Sequence, residues 1–231
     1  MSYYYQDNRG GFLQGAGKVT RNLIIVNILI YIATIINREM MVGLFGLFYP
    51  TSPFYHWWQP VTHMFMHGSI WHIFFNMYTL YIFGNVVERI IGSRKFVLFY
   101  FICGLGAAGL NILAQNIEIQ MVMANSSSDA VINAITRLKI TPTVGASGAI
   151  YGVLMAYAML FPDSRMTLLF PPVTLSAKWM VVIFAAIELF TGVSGWADGI
   201  AHFAHLGGLL IGWLMILWWR SRRVLFDKDR L

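Results

Sequence analysis

The stretch "TPTVGASGAIYG", residues 141–152, passes from a polar loop into a long apolar run, and Ser147 stands at the join between Ala146 and Gly148. Neighbours this small leave its hydroxyl unscreened, so the surroundings of the run decide what the serine is for. The 231 residues are 58% hydrophobic and 11% charged, with a mean hydropathy of +0.62. A water-soluble globule cannot cover that much apolar surface. The charges fall between apolar stretches, as helices crossing hydrocarbon require. An all-α, polytopic membrane protein is therefore expected, with no separate soluble domain. The single cysteine, Cys103, lies inside an apolar run, so no internal disulfide can form. The net charge of +6 collects at segment ends. That placement points to the lipid bilayer as partner and away from nucleic acid.

Outward from Ser147, six apolar runs are predicted as spans: residues 19–36, 69–91, 96–114, 147–161, 179–191 and 201–219. The fourth and fifth are short of the ~20 residues a crossing helix needs and, standing alone, would read as buried or re-entrant. Lys18 and Arg21, then Arg89, Arg94 and Lys95, then Arg165 and Lys178, then Arg220, Arg222 and Arg223 flank the ends that six spans place on one side. By the positive-inside rule that side is the cytoplasm. Arg137 and Lys139, in an outer loop, run against it. The expected organisation is a cytoplasmic tail over 1–18, a membrane domain over 19–219 and a basic cytoplasmic tail over 220–231. Residues 37–68, 115–144 and 192–200 are left as outer loops.

Depth can be counted from the cytoplasmic ends. Ser147 precedes Phe161 by 14 residues and His205 precedes Trp219 by 14, each ~21 Å at 1.5 Å per residue. Asn76 precedes Glu88 by 12 residues, or ~18 Å. Polar groups from three different spans thus share one layer several ångströms beneath the outer surface.

A serine hydroxyl is a weak nucleophile until a base takes its proton, and His205 is the matching base. Gly148 with Gly152, and Gly208 with Gly212, are small-xxx-small pairs that let membrane helices approach closely. His205, Gly208 and Gly212 share one helix face. Tyr151, four residues after Ser147, can pack on the imidazole. A second reading treats Gly145-Ala146-Ser147-Gly148 as a packing motif only, with His205 a satisfied interhelical histidine.

His63, His67, His72 and Asn76 crowd the outer end of the second span. His72 and Asn76 are four apart and face one way, placed to donate to a developing oxyanion. His63 and His67 have the spacing of metal ligands, but no H-E-x-x-H is present and no carboxylate lies in that stretch, so no metal or other cofactor is expected. His202 is assigned to a loop or cavity. Asp198 is two turns too high for His205 and Asp163 lies on the cytoplasmic side, which leaves a Ser-His dyad. Glu188 is expected to snorkel to the interface or to bond a neighbouring helix, and is left out of the site.

The pattern H-x-x-x-H-x-x-x-x-H-x-x-x-N from His63 to Asn76, G-A-S-G at Gly145 to Gly148, and A-H-L-G-G at Ala204 to Gly208 resembles the rhomboid intramembrane serine proteases. The stretch "FGNVVERIIGSRKFVLFY" (83–100) is similar to that family's linker between its second and third spans. The resemblance implies a compact six-transmembrane-helix bundle with Ser147 as nucleophile and His205 as general base. It assigns Asn76, His72 and the Ser147 backbone N–H as oxyanion donors. It also makes the first outer loop a partly embedded hairpin, residues 192–200 a cap, and the fifth span a mobile gate. One departure is visible: the family often carries Trp-Arg in the first loop, and here the pair is Trp58-Gln59.

These observations predict a serine endopeptidase acting on transmembrane protein substrates. A bacterial inner membrane is expected, since no organelle-targeting segment is visible. A catalytically silent helix-binding relative and a histidine-lined transporter are the competing classes. Retention of serine, histidine and asparagine favours the enzyme, and the lack of broken-helix repeats disfavours the transporter.

Overall fold

The computed structural model describes residues 17–125, 129–167, 172–194 and 200–225. Residues 1–16, most of the expected cap loop together with Asp198, and the last six residues of the C-terminal tail lie outside the described residues. The chain runs α1 (Lys18–Ile36), α2 (Arg38–Phe45), α3 (Gln59–Thr62), α4 (Ile70–Thr79), α5 (Asn85–Ile91), α6 (Ser93–Asn125), α7 (Asp129–Ile140), α8 (Ser147–Leu160), α9 (Ala177–Ser194) and α10 (Ile200–Ser221). Among the described residues, β1 (Arg165–Thr167) and β2 (Thr174–Ser176) form the only sheet, an antiparallel ribbon between α8 and α9. The expected all-α class holds.

Among the described residues, four helices are long and apolar enough to cross a membrane: Lys18–Ile36, Ser93–Ala124, Ala177–Ser194 and His202–Ser221. The other two expected spans take different forms. Residues 70–91 are helical throughout, but a π turn at Leu80–Gly84 divides α4 from α5. The fourth is the 14-residue α8, apolar but short. Two expectations need correction. The third helix does not stop at residue 114 but continues to Asn125, and much of the supposed polar loop is α7. A helix leaving the hydrocarbon can keep its internal hydrogen bonds in water, so polar composition after residue 114 marks the end of the membrane and not of the helix.

Local chemistry sets the joints. The Ser69 hydroxyl accepts from His72 N–H at 3.2 Å and caps α4. Gly92, at φ 83°, ends α5 with its N–H on the Glu88 carbonyl and reverses the chain into α6. The start of α1 has no cap of its own. The Glu88 carboxylate supplies it, accepting from Val19 N–H at 3.0 Å, Thr20 N–H at 2.8 Å and the Thr20 hydroxyl at 2.8 Å. An anion placed on the orphan donors of a helix N-terminus is favourable for α1 and fixes its height against α5.

At the centre of the bundle α6, α8 and α10 pack on one another. A Cβ on Gly208 would overlap the Gly148 carbonyl, and one on Gly212 would stand 2.8 Å from the Gly152 carbonyl. Close contact at these positions is open only to glycine. Phe96, Phe99, Tyr100 and Cys103 of α6 are completely buried here. Large apolar side chains of α1, α4 and α9, including Ile35, Trp71, Phe74, Ile187 and Phe190, point outward as a lipid-facing surface should. In the first loop Gln59 is fully buried and works as a hub. Its Nε2 donates to the Phe54 carbonyl at 2.8 Å and reaches the Leu44 carbonyl at 3.4 Å, while its Oε1 accepts from Phe48 N–H at 3.3 Å. An amide both donates and accepts; a guanidinium could not take the Phe48 N–H.

Candidate active site

Ser147 is the first residue of α8, and the residue before it, Ala146, offers no side-chain cap. The backbone N–H groups at this helix start are therefore free of intrahelical partners and carry the positive end of the helix dipole. The chain reaches Ser147 through a fixed entry. Thr143 and Leu47 exchange two backbone hydrogen bonds of 2.9 and 2.8 Å, and Gly145 N–H donates to the His63 carbonyl at 2.9 Å. Gly145 adopts φ 135°, a conformation that a side chain would strain. The bend aims the hydroxyl at α10.

His205 meets it there. Its Nε2 lies 2.7 Å from Ser147 Oγ, the distance of a strong hydroxyl-to-imidazole hydrogen bond. The equal depth counted along two separate helices thus corresponds to direct contact, permitted by Gly148, Gly152, Gly208 and Gly212. The Tyr151 ring stacks on the imidazole with centroids 4.3 Å apart and planes 1° from parallel. Beside the pair, a cavity of about 20 Å³ is lined by His63, Thr143, Ser147 and His205, room for one water molecule.

His72 reaches the same spot from α4. Its Nε2 lies against the Gly145 α-carbon, where an added Cβ would stand 2.8 Å from Nε2 and 3.4 Å from Ser147 Oγ. Gly68 N–H donates to His72 Nδ1 at 3.4 Å, which leaves Nε2 as the protonated nitrogen, a donor facing the serine. One turn along, Asn76 is buried and its amide nitrogen has no acceptor in the protein. A buried, unpaired donor is costly unless something arrives to accept from it.

The carboxylate left out by sequence reasoning is here. Glu188 of α9 is buried; its Oε1 accepts from His205 Nδ1–H at 2.9 Å and from the Tyr151 hydroxyl at 2.5 Å. Its Oε2 accepts from His202 Nδ1–H at 2.5 Å. Of the two sequence expectations, bonding to neighbouring helices is what occurs, and the bonding is to the base itself. The signal lay in the sequence as an acid three residues from the end of an apolar run, but its partner is on another helix and no spacing connects them. Asp163 is exposed, 2.7 Å from Lys178 Nζ, and takes no part. Glu188, His202 and His205 also form, among the described residues, the one group of ligand atoms able to hold a metal, all within 4.8 Å of one another. The histidine pair suspected from spacing, His63 and His67, does not. His63 Nδ1–H is tied to the Gln59 carbonyl at 3.0 Å, and both His67 nitrogens are buried without partners, its ring set edge-on to His72. Burial holds the His63 imidazole down to about 4 and that of His67 down to about 3, so both are neutral.

Comparison with known proteins bears on the same segment. A model of the Rhomboid domain matches residues 55–222, a span that contains Asn76, Ser147, Glu188 and His205. The chain belongs to the rhomboid family. Rhomboid protease AarA of Providencia stuartii is 30% identical over 222 residues, covering 90% of this chain and 74% of that protein. The mitochondrial presenilin-associated rhomboid-like protein of Mus musculus is 30% identical over 167 residues, 70% of this chain and 39% of that protein. The mitochondrial Rhomboid protein 1 of Saccharomyces cerevisiae is 27% identical over 167 residues, 72% of this chain and 42% of that protein. The chain therefore spans about three quarters of the first relative and about two fifths of the mitochondrial ones. One relative is named a protease and the others rhomboid-like or rhomboid proteins. Membership of the rhomboid family makes this an integral membrane protein, while its activity has to be argued from the site.

Proposed function

We propose that this rhomboid-family chain is an intramembrane serine endopeptidase that hydrolyses a peptide bond in or beside the transmembrane helix of other membrane proteins. The observation that carries the reading is the 2.7 Å contact between Ser147 Oγ and His205 Nε2. As Oγ attacks the scissile carbonyl carbon, its proton passes to Nε2 and the carbonyl electrons move onto oxygen. The Asn76 amide, His72 Nε2–H and the Ser147 backbone N–H stabilise that oxyanion. Collapse expels the amine, which takes the proton from Nε2, and leaves an acyl-serine ester. Water then gives a proton to Nε2 as it attacks the ester, and Ser147 departs with that proton. The chain's own residues supply every proton transfer, with no cofactor.

Access is the second requirement. A cavity of about 750 Å³ between α4 and α9, lined by Phe74, Tyr78, Leu154, Tyr157, Met180 and Phe184, supports entry of an apolar segment from the lipid side. The substrate helix must unwind locally, because a regular helix keeps its carbonyls engaged. Positively charged segment ends support an orientation with both tails, 1–18 and 220–231, at the cytoplasmic face of a bacterial inner membrane, flanking the 19–219 membrane domain.

The test is cleavage of a single-pass model substrate by purified protein in detergent. Wild type should release product, whereas Ser147→Ala and His205→Ala should lose at least about 10³-fold in kcat. Equal cleavage by all three would place the activity elsewhere. Binding of the substrate helix without cleavage by wild type would point to a catalytically silent helix-binding protein.

A further inference from the structure

The Ser147–His205 pair has a third partner on a third helix. We infer that Glu188 is a positioning residue that holds His205 in the tautomer and orientation the proposed reaction needs, so that the site is a serine–histidine–glutamate relay assembled from α8, α10 and α9. The inference rests on the peptidase reading and adds to it a residue that neither the dyad nor the oxyanion donors require.

The geometry is directional. His205 presents Nδ1 to Glu188 Oε1 at 2.9 Å and Nε2 to Ser147 Oγ at 2.7 Å. A carboxylate only accepts, so the proton must sit on Nδ1, and Nε2 is left with the lone pair that takes the serine proton. When His205 becomes an imidazolium, the facing carboxylate stabilises the new charge. The carboxylate is itself clamped, by the Tyr151 hydroxyl on Oε1 and by His202 Nδ1–H on Oε2. Tyr151 serves twice, because its ring also stacks on the imidazole it helps to aim. No lysine or arginine among the described residues pairs with Glu188. A buried acid on a membrane helix is expensive. If helix packing were its whole purpose, an apolar residue would serve at lower cost.

The competing account is that Glu188 merely ties α9 to its neighbours. It predicts weaker stability or substrate binding with an unchanged serine; positioning predicts a slower serine. Three readouts separate them: kcat and KM on a short peptide substrate, the rate at which a fluorophosphonate labels Ser147 with no substrate present, and the tautomer of His205 by nitrogen-15 NMR. Glu188→Gln should lower kcat and labelling by about a hundredfold each, with KM within about twofold of wild type. Glu188→Asp, which keeps the charge, should label faster than Glu188→Gln. Labelling and kcat at wild-type levels in Glu188→Gln would overturn the inference. Should that variant not fold, the wild-type spectrum decides: neutral His205 protonated on Nδ1 upholds the inference, and protonation on Nε2 overturns it. A wild type that neither cleaves nor labels would sink the peptidase reading while leaving the tautomer measurement to judge Glu188 on its own.

Discussion

At Asn76, as at Gln115, the amide nitrogen is buried with no acceptor among the described residues, and Asn76 lies one turn along α4 from His72. If it donates to the oxyanion, Asn76→Ala should lower kcat by about 10²–10³-fold with little change in KM. Gln59 poses the opposite case, an amide with every partner in place. Gln59→Arg, which installs the family's frequent residue, strands the Phe48 N–H and should lower stability by about 1–3 kcal/mol. Thermal unfolding in detergent would read it. His63 gives the chain an acid-sensitive point. Folded, its imidazole stays neutral down to about 4, whereas an unfolded histidine takes a proton near ~6.5. Its contribution to stability is therefore complete above ~6.5 and is lost as pH falls toward the folded value. His67 acts in the same direction. Unfolding midpoints should drop between about pH 7.5 and about pH 5, and His63→Gln should flatten part of that slope.

At the scale of elements, α4 and α9 stand apart across an apolar cavity while α6, α8 and α10 are locked by glycines. If the proposed substrate enters there, α9 is the element expected to move. Cys103 is the sole cysteine and is buried, so cysteines introduced at Tyr78 and Phe184 can be bridged selectively. The bridged protein should lose cleavage of a transmembrane substrate while Ser147 still labels with a small fluorophosphonate. Unimpaired cleavage would mean that substrate enters elsewhere. Sequence served unequally well here. Each of the six apolar runs falls on a helical segment, because hydrocarbon imposes a length and a composition on whatever crosses it. The π turn, the extension of α6, α7 and the β1–β2 ribbon carry no such signature. They answer to tertiary contacts and to water, where either helix or loop would satisfy a polar backbone.

For the molecule as a whole, the meeting of Ser147, His205 and the polar residues of α4 was legible because the three spans are separate and depth can be counted along each. Glu188 was not, since an acid near a helix end reads the same whether it faces headgroups or a histidine. Only the packing of α9 against α8 and α10 separates the two. The shortness of α8 has a further consequence, for biosynthesis. Fourteen apolar residues are too few to hold a lone helix across a bilayer, and the non-helical approach from Thr141 to Ala146 cannot face lipid unshielded. Its companions are α6, made before it, and α10, made after it. A nascent chain arrested ahead of α10 should leave Ser147 open to a water-soluble thiol reagent when replaced by cysteine, and completion of α10 should close it. The proposed nucleophile would then take its place only once α10 is made, and a copy lacking α10 would be harmless to the membrane that holds it.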